Sequence, residues 1–206
     1  MRVFGPDAPW LTAAALGLWD DHRRPFSARF VWPQTQPSAR DRKTGLPFYA
    51  WFDDLTAVMG ALPGLSSAGL ELAFLDLAGF RAFNNAYGQE LGDRVLQAFA
   101  EFLQGIPEAR AVRDGGDELL VLGAPGRASL RASLDAHRLR WPERFRARFG
   151  AEAPPVAPRI VVARTTGAAL RACREALGRA VGAFKQRSAR VPPEGALDPT
   201  DYAVTL

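Results

Sequence analysis

Apolar residues along this chain recur with two periods, and the switches between them lay out the expected elements. Over residues 48–62, Trp51, Phe52, Leu55, Val58, Met59 and Leu62 fall at helical spacing, and Pro63-Gly64 stops the helix. Residues 70–76 read Leu-Glu-Leu-Ala-Phe-Leu-Asp, an apolar strand with an acid at its C-terminal end, where open α/β sheets place their ligands. A helix over about 90–104 buries Val95, Leu96, Phe99, Phe102 and Leu103, and Gly105-Ile106-Pro107 ends it. Ala111-Val112 and the run 119–122 flank Asp114-Gly115-Gly116-Asp117, which predicts two short strands joined by a tight hairpin whose paired glycines accept positive φ. A helix from Ala128 toward His137 follows, then an Arg-rich, Trp-containing segment to Phe149 and a loop over 151–155. A strand over 158–163 comes next, and Thr165-Thr166 are expected to cap a long helix to about Arg187, with Leu170, Cys173, Leu177, Ala180, Val181 and Phe184 on one face. The order helix, β, α, β, β, α, β, α predicts a ferredoxin-like α/β domain with one central, mostly antiparallel sheet flanked by helices.

Residues 1–40 carry a short helical pattern over 10–19 and a short strand pattern over 28–32, read as a small extension of unknown role. A Pro/Ser/charge-rich connector over 34–43 follows, so the expected division is 1–40 extension, 41–192 domain and 193–206 tail. With 206 residues the chain suits one well-buried domain with added elements. A composition of 48% hydrophobic and 23% charged residues excludes a disordered or low-complexity chain. The net charge of +4, carried almost wholly by arginine, fits a polyphosphate ligand and a plain solvated surface equally. Cys173 is the only cysteine, so no internal disulfide is expected and Cys173 reads as core. The apolar run 9–19 is too short to span a membrane, and Asp20-Asp21-His22-Arg23-Arg24 follows where a signal peptide needs small residues, so a cytoplasmic chain is expected. His137, near the end of its pattern, reads as a cap or surface residue rather than a metal ligand.

The candidate chemistry is acidic. Asp117 and Glu118 sit at the hairpin tip, where two carboxylates with little bulk around them suit an oxygen-liganded Mg²⁺ and let a phosphate approach bare backbone. An ordinary acidic turn is the alternative. Asp76 joins them if its strand end and the hairpin share a sheet. Carboxylates so placed repel unless a cation lies between them, so their convergence predicts Mg²⁺ or Mn²⁺.

Three separated motifs now point to a family. Asp41-x-x-Thr44-Gly45-Leu46-Pro47, then Asp76-x-x-x-Phe80-Arg81-x-x-Asn84-x-x-x-Gly88-x-x-x-Gly92-Asp93-x-x-Leu96, then Gly115-Gly116-Asp117-Glu118-Leu119, in this order, resemble the GGDEF domain of diguanylate cyclases. The resemblance, over roughly 41–190, implies a nucleotidyl-cyclase/polymerase-palm type of fold and a metal-dependent condensation of two GTP to cyclic di-GMP and pyrophosphate at a homodimer interface. It makes Asp76, Asp117 and the backbone carbonyl of Leu77 the ligands of Mg²⁺ or Mn²⁺, with Asp76, Asp117 and Glu118 catalytic. Asn84 and Asp93 fall on the positions that read guanine, where a carboxylate can accept from N1–H and the exocyclic amine. Without the family spacing, Asn84 reads as a cap and Asp93 as a first-turn acid favoured by the helix dipole. Arg81 stands where the family commonly has a phosphate-binding Lys. Lys185 is the choice for the last phosphate contact under either of two alignments of the final helix. Arg113 is expected to pair with Asp41.

Several positions depart from the family pattern: Ala78, Asn85, Gln89, Leu119 and Phe48-Tyr49. None removes a predicted metal ligand or guanine contact, yet together they leave open a catalytically weak or inactive domain that binds GTP or cyclic di-GMP as a regulatory module. The product-inhibition motif is absent, because Ile106 and Ala109 occupy its two positions. No aromatic-basic stretch forms a strand-binding groove, so nucleic acid is not an expected partner.

Overall fold

The computed structural model describes residues 40–61, 69–106, 109–123, 129–150, 153–188 and 203–205. The patterns over 10–19 and 28–32, the Pro63-Gly64 stop, most of the connector and most of the tail lie outside the described residues. The elements are α1 (Tyr49–Ala61), β1 (Gly69–Leu77), α2 (Phe80–Tyr87), α3 (Gln89–Gln104), β2 (Ala109–Gly115), β3 (Glu118–Gly123), α4 (Leu130–Phe149), β4 (Pro158–Thr166), α5 (Leu170–Ser188) and β5 (Ala203–Thr205).

The strands form one sheet in the order β2-β3-β1-β4-β5, antiparallel except where β5 runs parallel to β4. β1 lies between β3 and β4 with helices on both faces, which is why it reads as a nearly unbroken apolar run. Alternation sorts its side chains. Ala73, Leu75 and Leu77 pack into a core with Phe83, Phe99, Trp141 and Phe145. Leu70, Leu72 and Phe74 pack into the other, with Trp51, Phe52 and Leu55 of α1 and Leu177 and Val181 of α5. Two residues beyond Phe74, Asp76 shares its phase and faces the α1/α5 side.

The differences from expectation are local. α2 fills a stretch the apolar pattern left unassigned, bounded by Gly79 (φ 71°) and Gly88 (φ 86°), conformations that suit glycine. α4 runs unbroken through Pro142, joining the predicted helix to the Arg-rich segment. An interior proline costs a helix about 3 kcal/mol. Buried Trp141 and Phe145 oppose that cost, with the Trp141 ring 4.9 Å from Phe99 and its Nε1–H donating to Val156 O at 2.7 Å. Ser129 Oγ caps the helix start by accepting from Ala132 N at 3.1 Å.

Thr165 and Thr166 cap no helix. They end β4, opposite Leu70 and Gly69, and α5 begins only at Leu170. His137 is not at a helix end either: it lies inside α4, with Nδ1 3.0 Å from Ser133 O and its ring 4.9 Å from Phe102. Cys173 is half-buried against the second core, and burial raises its thiol pKa. Ile106 and Ala109 are buried apolar residues, 2% and 5% exposed. Part of the predicted tail is β5, at the sheet edge. Among the described residues, no helix is long and apolar enough to cross a membrane.

Candidate functional site

Sheet register builds the site. Asp76, next to last in β1 and 1% exposed, stands opposite Glu118 on β3 and Arg159 on β4. Opposed residues in an antiparallel pair point to the same face, so all three side chains meet there. Arg159 Nη1 lies 2.8 Å from Asp76 Oδ2. Lys185 reaches over from α5, with Nζ 2.6 Å from Asp76 Oδ1 and 2.9 Å from Glu118 Oε1. Burial disfavours the lysine's charged form, but its hydrogen bonds to Asp76 and Glu118 outweigh that and its pKa is raised. A buried carboxylate survives only with such compensation.

The hairpin brings Asp117 beside this group. Burial, and then the negative charge of Asp76, pushes the Asp117 carboxyl up to about 6. Of the two hairpin glycines only Gly116 takes positive φ, at 52°. A Cβ added at either Gly115 or Gly116 would meet nothing within 4 Å, so bare backbone faces open space.

The hairpin is pinned at both ends. The Arg113 guanidinium, 6% exposed, donates to Gly116 O and lies 3.3 Å from Asp41 Oδ2, as the sequence predicted for that pair. Asp41 Oδ2 also accepts from Thr44 N at 3.0 Å and Thr44 Oγ1 at 2.6 Å. Burial lowers the Arg113 pKa against the opposing charges of Asp41, Asp117 and Asp93, three acids that surround it. On the other side, Arg174 of α5 holds Asp114 through contacts of 2.8–3.0 Å while stacking 4.4 Å above the Tyr49 ring.

A pocket of about 240 Å³ opens beside the hairpin, lined among others by Lys43, Arg81, Asn84, Asp93, Arg113 and Asp117. Asn84 Oδ1 is buried there without a hydrogen-bond partner. Its side chain lies so close to α3 that a Cβ on Gly92 would fall 1.7 Å from Oδ1, so glycine is needed for the amide to enter. The Asn84 side chain caps neither helix. Asp93 lies beyond the first turn of α3, whose acid is Glu90, and it pairs with Lys43 Nζ at 2.8 Å.

The predicted residues thus form two adjoining groups, one of Asp76, Glu118 and Lys185 and one of Arg81, Asn84, Asp93 and Asp117. The Leu77 side chain is 1% exposed in the core, which leaves only its backbone for a ligand. Sequence reasoning missed Arg159 and Lys43. Arg159 is in phase with apolar Val161, and a charge in phase with a strand's core face was its only signal. Lys43 lies within the first motif and gave none.

Among the described residues, no three His, Cys, Asp or Glu side chains gather as a ready-made metal cage. The donors present are hard oxygens, and the mutual repulsion of Asp76 and Asp117 is what a cation would relieve. Mg²⁺ is usually held by one or two carboxylates and completed by substrate phosphates, so this smaller set fits it.

The antiparallel sheet, with a buried acid at its central strand end beside a glycine hairpin, defines an α/β domain of the nucleotidyl-cyclase type. A profile of the family described as "Diguanylate cyclase, GGDEF domain" matches residues 38–137. The GGDEF domain of DgcB from Caulobacter crescentus, solved with c-di-GMP, superposes with a TM-score of 0.63 at 21% identity, covering 82% of this chain and 94% of that one. The probable diguanylate cyclase DgcI of Escherichia coli (strain K12) is 33% identical over 100 residues, 43% of this chain and 23% of that protein. A Streptomyces griseus protein from the hutH 5′ region is 42% identical over 65 residues, 29% of this chain and 27% of that protein. The chain therefore spans about a quarter of the length of these two relatives.

Proposed function

We propose that this domain is a diguanylate cyclase: two GTP-loaded copies meet face to face and yield one cyclic di-GMP and two pyrophosphates. The convergence of Asp76, Glu118 and Asp117 beside a pocket holding Asn84 and Asp93 carries this reading. Each ribose 3′-hydroxyl attacks the other nucleotide's α-phosphate, forming a 3′-O–P bond, while the α–β bond breaks and pyrophosphate leaves. Each domain holds one GTP in this reading, so the reaction requires a homodimer, and positioning supplies much of the acceleration.

The pocket accepts the base, with Asp93 accepting from N1–H and the exocyclic amine and Asn84 completing the contact. The phosphates lie over the bare Gly115-Gly116 backbone, within reach of Arg81. Asp76, Asp117 and the Leu77 carbonyl would hold Mg²⁺ or Mn²⁺, which supplies charge neutralisation at the phosphates when bound. Glu118 orients Lys185 and supplies a further carboxylate for the departing proton.

A second reading has its own observation. Both oxygens of Asp76 already face cationic side chains, Arg159 and Lys185, which favours a module that binds GTP or cyclic di-GMP without turnover. The test is incubation of concentrated protein with GTP and Mg²⁺ or Mn²⁺, products separated by chromatography, with Asp117→Ala as control. Cyclic di-GMP from the unsubstituted protein alone supports the cyclase. Absence of product favours the module, and product from ATP alone overturns the base assignment.

A further inference from the structure

Resting on the reading of this pocket as a guanine site, we infer that Lys43 is a specificity-determining residue that donates to guanine O6 while Asp93 accepts from N1–H. The two side chains stand as a donor and an acceptor 2.8 Å apart on the wall of one pocket. O6 and N1–H lie side by side on guanine in the complementary order. Adenine offers the reverse pair, an amine where Lys43 stands and a bare N1 where Asp93 stands. Lys43 would then face a donor and Asp93 an acceptor, which is how a polar site rejects an analogue strongly.

The placement of Lys43 is built, not incidental. Its loop is closed by Asp41 N donating to Leu46 O at 2.8 Å and Gly45 N donating to Asp41 O at 2.8 Å. The same loop is tied through Asp41 and Arg113 to the hairpin that carries Asp117. The backbone of Lys43 is therefore held beside both the base pocket and the acid group. Asn84 Oδ1, buried and without a hydrogen-bond partner, is a second polar group lining the same pocket. The Lys43–Asp93 pair is 48% and 39% exposed, so its opening to admit a base costs little. An ammonium has three donors, so Lys43 can keep Asp93 and still bind O6.

The test uses the 3′-deoxy triphosphates of guanosine, inosine and adenosine, which lack the attacking hydroxyl and report binding alone. Isothermal titration calorimetry with Mg²⁺ compares the unsubstituted chain with Lys43→Met and Lys43→Arg. Loss of one charged hydrogen bond predicts that Lys43→Met weakens the guanosine and inosine compounds alike by about tenfold or more, while Lys43→Arg restores most of it. An equal loss on both assigns Lys43 to O6, because inosine keeps O6 and lacks the 2-amine. Unchanged or tighter guanosine binding by Lys43→Met, with the unsubstituted chain binding normally, overturns the role of Lys43 and leaves the pocket assignment standing. Failure of the unsubstituted chain to bind the guanosine compound overturns both.

Discussion

Asp117→Asn tests whether the acids are held together against their mutual repulsion. In the metal-free protein this carboxyl lies at about 6 rather than its ordinary 3.8, through burial and the nearby charge of Asp76. That displacement amounts to roughly 3 kcal/mol against the charged form, and partial solvent exposure reduces it to about 1–2 kcal/mol. Because the folded-state pKa is raised, the native protein binds more protons than the unfolded chain between about 3.8 and 6. The stability contributed by this proton is fully present below that window and is lost as pH rises through it. Asparagine keeps the shape and removes the charge. Thermal unfolding followed by circular dichroism in EDTA should show the variant more stable at pH 7.5 by about 2–8 °C, with the advantage shrinking toward pH 4.5. A variant that is less stable at pH 7.5, or whose difference from the parent does not change with pH, would refute the account.

Two further outcomes follow from the geometry. Gly92→Ala places a Cβ 1.7 Å from Asn84 Oδ1 and should expel the amide, lowering affinity for the 3′-deoxy guanosine triphosphate. The expected loss in calorimetry is about tenfold or more, and undiminished affinity would remove Asn84 from the base site. Arg159→Met leaves buried Asp76 with Lys185 as its remaining described ion pair and should cost about 3 kcal/mol in urea denaturation. A cost below about 1 kcal/mol would mean that Arg159 is not the fixed counter-charge of Asp76.

Local chemistry made much of this domain legible from the chain alone. The apolar run ending in Asp76, the helical spacing of Trp51, Phe52, Leu55 and Met59, and the glycine hairpin before Asp117 each carry their cause within a few residues. Periodicity and turn preference act at that range. α2 escaped the pattern because its boundaries are set by two positive-φ glycines, and α4 because packing of Trp141 and Phe145 overrides the local signal of Pro142.

The sequence by itself determined most of the strands and helices, α2, the full length of α4 and β5 excepted, and that acids lie at a strand end and a hairpin tip. Only the tertiary structure decided what those acids face. Arg159 is 83 positions from Asp76, Lys185 is 67 from Glu118, and Lys43 is 50 from Asp93. Each meeting depends on sheet register and helix docking, and one residue of slip would turn every side chain of a strand to the opposite face. Pairing over such distances is set by how the two cores close around β1, information that no local pattern holds.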